Sequence, residues 1–155
     1  MATYHERLQQ LTQKYRESGE KWPAAVRDIA QWAVNNGMWR PQPSDIVAQC
    51  ADHLARALRD EYVTDPQGRR VRAKHAATYG KGSEQYVLWD DIRTAQPSHM
   101  RLAFQQRRHQ ILGDCKQLKN DVDSYNENRQ PEQPVQIVFD FTLDLVEQDL
   151  VKRRG

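Results

Sequence analysis

The strongest constraint on this chain is one long helical stretch. Pro97-Ser98 opens it, and no further proline occurs until the break at Asn126 to Pro134. Phe104, Ile111, Cys115, Leu118, Val122 and Tyr125 fall on one side, with spacings from Ile111 of four, three, four and three. That is a heptad rhythm. It predicts a helix over about 98–127 whose seam is buried, either against the rest of the chain or against a second copy. Arg107 and Arg108 interrupt the seam near its start.

Upstream the punctuation is equally readable. Tyr4, Leu8, Leu11 and Tyr15 make one helical stripe within 3–17, and Gly19 ends it. Pro23 suits the first turn of a second helix over 23–36, which Asn36-Gly37 stops. Ser44 is placed to cap a third helix with Asp45 in its first turn. On that helix Ile46, Val47, Cys50, Ala51, Leu54 and Leu58 are expected to be buried.

The period then changes. Tyr62-Val63-Thr64 and Arg69 to His75 flank Asp65-Pro66-Gln67-Gly68, which matches a type I turn and predicts a β-hairpin. Residues 76–83 read as a loop and 85–89 as a short strand. After the long helix, Val135, Ile137, Phe139 and Phe141 alternate with polar or outward residues as a strand does. Residues 142–151 read as a return to helix, followed by the basic tail Lys152 to Gly155. The expected fold is mainly α with a small β component. It has a winged-helix core of three helices and a hairpin, then a long helix and a terminal strand and helix. The domains read as 1–95 and 96–155.

Three helices followed by a hairpin within residues 3–75 resemble the winged helix-turn-helix family. The resemblance runs from Asp28-Ile29-Ala30 through Leu54 to Arg59 and on to Gly68-Arg69-Arg70. It implies a third helix that enters the major groove and a wing that lies on the backbone. The run Asp52 to His75, with Trp89 to Ile92 and Gln105 to Arg108, also resembles a group of uncharacterised bacterial proteins, which implies a bacterial origin and no mechanism.

Net charge is only +2, so a nucleic-acid reading rests on distribution. Arg69, Arg70, Arg72, Lys74 and Lys81 occur with no Asp or Glu between them. In a continuous strand Arg70, Arg72 and Lys74 share one face, and a phosphate backbone is an anion that suits such a stripe. An edge strand protected by cations is the competing reading. Gln49, His53 and Arg56 lie one turn apart on the third helix with Arg59 beyond them, as base-reading side chains would, although Asp45 and Asp52 would repel phosphate. The expected partner is double-stranded DNA, with a homodimer through the long helix. The alternative is a protein–protein assembly module.

Catalysis is not expected. The chain carries no phosphate-binding glycine loop, nucleophile elbow or zinc-protease helix. Cys50 and His53 are one turn apart but have no second pair, so Cys50 reads as a buried thiol, as does Cys115. Asp90-Asp91 point apart if extended, and Asp140, Asp144, Glu147 and Asp149 read as a polar helix face. No metal, cofactor or small-molecule ligand is expected. Without an apolar span or a leader-like N-terminus, and with two unpaired cysteines, the chain reads as cytoplasmic.

Overall fold

The computed structural model describes residues 1–154, without the side chains of Ser44 and residues 152–154. The Ser44 cap and the basic tail therefore lie outside the described side chains. The chain forms two compact units, residues 1–56 and 57–155.

In the first unit, helix α1 (Tyr4–Glu17) begins with a reciprocal cap. The Glu6 N–H donates to Thr3 Oγ1 at 3.1 Å, and the Thr3 N–H donates to Glu6 Oε2 at 2.7 Å. Two of the helix's orphan donors are thus satisfied. Helix α2 (Val26–Asn35) starts three residues later than Pro23, which lies before it rather than in its first turn. It ends as expected: Gly37 sits at φ +66°, and its N–H and that of Met38 donate to Val34 and Ala33. The two helices meet through Tyr15 and Trp32, edge to face at 5.5 Å, beside the buried Ala33.

Helix α3 (Ile46–Arg59) follows a 3-10 turn, Pro43–Asp45. Its expected buried face is overturned. Ile46, Val47 and Leu54 are 64%, 79% and 58% exposed, Cys50 and Ala51 are exposed, and only Leu58 is half-buried. The α1–α2 pair closes on its own aromatic contact. The side of α3 turned toward α1 carries Ala48 and Gln49, which line an open cleft with Tyr4, Leu8, Leu11 and Trp39.

The second unit starts with the hairpin. Strands β1 (Tyr62–Thr64) and β2 (Arg70–Arg72) pair antiparallel, Val63 opposite Val71. Asp65 C=O accepts from Gly68 N–H at 3.0 Å, and Gly68 takes φ +86°, as the Pro-Gly turn predicts. The second arm does not run on to His75 as one strand. Fully buried Ala73 donates its N–H to Glu61 O and accepts from Ile92 N–H, both at 2.8 Å. One residue thus serves two ladders, and the chain passes into a second sheet. There β3 (Lys74–Tyr79) pairs antiparallel with β4 (Tyr86–Asp91). Residues 76–79, expected as loop, are therefore strand.

Helix α4 (Pro97–Arg129) is the long helix. Its first turns pack on β3 through small side chains, with Ala77 and Ala103 only 1% and 4% exposed. Residues 131–141 form no strand, which corrects the alternation reading. Asp140 Oδ1 accepts from the Thr142 N–H and hydroxyl and opens helix α5 (Thr142–Arg154). Among the described residues no helix is long and apolar enough to cross a membrane.

Candidate functional site

The hairpin cations are placed by the turn and by the split at Ala73. Arg69 folds back on Asp65, its Nε 2.8 Å from Oδ2. That hydrogen bond, with the backbone N–H of Arg69, holds the Asp65 carboxyl below the usual carboxylate range. Arg70 lies 4.4 Å over the Tyr62 ring. Arg72 is half-buried, and its C=O accepts from His75 Nε2. Among the described residues neither Arg70 nor Arg72 has a carboxylate within ion-pair distance.

Lys74 departs from the expected stripe. Its Nζ sits 3.1 Å from Glu61 and 3.3 Å from Asp91. Glu61 first, then Asp91, push its pKa upward. Arg93 closes on the same Asp91 carboxylate at 2.6 Å and drives it far below the carboxylate range. Two cations and two anions cancel, so the cluster around Lys74 carries no net charge. The sequence run without acids concealed this, because the neutralising groups come from 61 and 91.

The third-helix candidates are also divided. Gln49 lines the cleft beside α1, His53 and Arg56 are exposed, and Arg59 stacks 5.7 Å over Trp89. Within the second unit, Arg69 and Lys74 are held by carboxylates and Arg59 by an aromatic ring, whereas Arg70 and Arg72 have no carboxylate partner among the described residues.

The long-helix seam is mostly uncovered. Phe104, Ile111, Leu118 and Tyr125 are 44–52% exposed, while Cys115 and Val122 are half-buried. The expectation that this chain or another buries the seam is not met within one copy. Neither cysteine is in a disulfide, and Cys50 is exposed rather than buried.

Sequence reasoning missed the junction that fixes α4 on the sheet. Thr78 N–H donates to Gln106 Oε1, and Gln106 Nε2 donates to Thr78 O, both at 2.8 Å. His99 Nε2 lies 3.0 Å from His75 O, which can only accept, so that nitrogen carries the proton. In the neutral ring His99 Nδ1 then accepts from the Tyr79 hydroxyl at 2.8 Å. The available signal was the spacing His99, Ala103, Gln106, a stripe beside the seam rather than on it.

Further along, Asn126 uses the same two-point grip on Val135, at 2.9 and 3.0 Å. The result is an apolar, strand-patterned segment tied to the far end of α4, an open seam, and a hairpin in which Arg69 is paired while Arg70 and Arg72 have no carboxylate partner among the described residues. Comparison with family models, with curated proteins and with solved structures finds no match to this chain.

Proposed function

We propose that the chain is a protein–protein assembly module that joins copies of itself. The observation that carries this reading is the apolar surface left open within the second unit. Beside the α4 seam, Tyr86, Val87 and Leu88 on β4 are 55%, 53% and 51% exposed. On α5, Leu143, Val146 and Leu150 are 76%, 51% and 50% exposed. Scattered exposed apolar residues are ordinary, but contiguous ones mark interaction surfaces, and Tyr86 and Leu88 are neighbours on one face of β4. Light scattering of the full chain across a concentration series tests the reading. The expected result is a mass above the 18.2 kDa of one chain. A single-chain mass at every concentration overturns it.

Duplex-DNA binding is the second reading, favoured by one observation: among the described residues Arg70 and Arg72 stand on the hairpin without carboxylate partners. The element order α1, α2, α3, β1, β2 supports a winged-helix interpretation of this part of the chain, with α3 and the hairpin as the contact elements. A titration with duplex DNA at two salt concentrations tests it. Salt-dependent binding supports the reading, and a flat titration with folded protein removes it.

A further inference from the structure

The β3–β4 sheet has two edges, and they are treated differently. The outer edge of β3 is held by α4, where Gln106 takes both backbone groups of Thr78. Thr78 therefore points away from β4. Because hydrogen-bonded and non-hydrogen-bonded pairs alternate along an antiparallel ladder, its partner Val87 also points away from β3. So does Trp89, two residues on. The Ile92 N–H to Ala73 O bond falls in the same parity. Among the described residues no other strand pairs with β4. Val87 and Trp89 thus present N–H and C=O groups along an open strand edge, which is a template for an added strand.

The side chains agree. Leu88 and Tyr86 lie opposite Ala77 and Tyr79, on the face of the sheet that α4 covers over β3. They are nonetheless 51% and 55% exposed, so α4 leaves the β4 half of that face bare.

The same chain carries a strand-patterned segment with no ladder, Val135 to Phe141, in which Val135, Ile137, Phe139 and Phe141 alternate. It cannot reach β4 of its own copy while Val135 stays on Asn126. Asn126 and Gln106 lie on one helix, about 30 Å apart at a rise of ~1.5 Å per residue. The extended segment from Val135 to Phe141 covers about 20 Å at ~3.3 Å per residue. It ends roughly 10 Å short of the near end of the sheet, and there α5 begins.

We infer that the outer edge of β4 takes residues 135–141 of a second copy as an added strand, reciprocally in a pair. The inference rests on the self-assembly reading and specifies its contact. The backbone groups of Val87 and Trp89 bond the incoming segment, and its alternating apolar side chains extend the bare face at Tyr86 and Leu88.

The test is backbone amide hydrogen exchange of the full chain on either side of its association midpoint, with mass measured in parallel. The expected result is that the Val87 and Trp89 amides, and alternate amides in 135–141, slow by roughly tenfold or more as the mass doubles. Association with those amides still exchanging fast overturns the strand contact while leaving self-assembly standing. Slow exchange already at single-chain mass places the segment in its own copy and overturns the strand contact. No association at any concentration overturns both.

Two variants give an independent arm. Val87→Pro removes a donor that points away from β3 and leaves the hairpin ladder intact. Ile137→Asp, outside every helix and strand, sets a carboxylate against the bare face at Tyr86 and Leu88. Each alone is expected to weaken association at least roughly tenfold, Val87→Pro from the lost strand hydrogen bond and Ile137→Asp from the charge on the apolar face. Mixed, they retain one intact edge and one intact segment, so a mixed pair is expected to re-form. Undiminished association of both variants overturns the inference.

Discussion

Gln106 holds Thr78 by both ends of its side-chain amide, standing in for the neighbouring strand that β3 lacks on that side. A side-chain amide offers an N–H donor and a carbonyl acceptor side by side, as a backbone edge needs. Replacing Gln106 by Ala leaves the Thr78 N–H and C=O to find water at a half-buried site. The expected loss is about 1–2 kcal/mol, from two weakly screened hydrogen bonds. Gln106→Glu keeps the acceptor but sets a carboxylate against Thr78 O, so it should not rescue. Urea unfolding of the three proteins checks the order.

The helix–sheet junction should also sense acid. His75 is 7% exposed and donates from Nε2 to Arg72 O. Burial first, then the charges of Arg107, Arg72 and His99, lowers its pKa below the ordinary 6.5, against a raising hydrogen bond to Arg72. A depressed folded-state value means that the unfolded chain takes up the proton first. The stabilisation is therefore complete above pH 6.5 and is lost as the pH falls through the lower folded value. His75→Phe should flatten the dependence of unfolding free energy on pH in that window, whatever it does to stability at neutral pH. An unchanged slope would assign the acid sensitivity to another group.

Gly80 offers a sharper steric test. It sits at φ +91°, where a Cβ would run into the carbonyl of Glu84 in the β3–β4 connection. Gly19, at φ +83°, has open space around that position. Gly19→Ala should cost only the left-handed backbone preference, about 1 kcal/mol. Gly80→Ala adds a backbone clash that no rotamer relieves, and should cost about 1–3 kcal/mol more. Paired thermal melts distinguish them, and equal effects would mean that the connection relaxes freely.

These cases separate what the sequence carries from what it does not. Local chemistry was legible: the Asn36-Gly37 stop, the Asp65 to Gly68 turn and the long helix all rest on a few neighbouring residues. The division at Ala73 was not, because Arg69 to His75 has one strand pattern, and only the partners Glu61 and Ile92 show that two ladders share it. The spacing of apolar residues on α3 predicts a stripe, and Ile46, Val47 and Leu54 in it are exposed. Amphipathicity says that a face needs a cover, not that its own chain supplies one. The alternation of Val135 to Phe141 has the same ambiguity. On the candidate site, charge clustering located the cations, but their neutralisation by Glu61, Asp65 and Asp91 is a matter of tertiary distance.

That neutralisation changes what the DNA reading predicts. Three projecting cations at 70, 72 and 74 would each release counterions on meeting phosphate, and removing all three would flatten the salt dependence by about 2.7 in log–log slope. In the structure Lys74 is already paired with Glu61 and Asp91, and Arg69 with Asp65. Of these four, Arg70 and Arg72 remain without carboxylate partners among the described residues, so Arg70→Ala with Arg72→Ala should reduce the slope by about 1.8. Lys74→Ala should leave the slope nearly unchanged, while exposing Glu61 to its carboxylate neighbour Asp91 and lowering stability. Gln49→Ala should alter sequence preference only if the side chain leaves its cleft beside α1. A slope that falls equally for Lys74 and for Arg72 would show that the ion cluster opens on DNA. No slope at all in the wild-type protein would leave the open apolar faces as the chain's means of engagement.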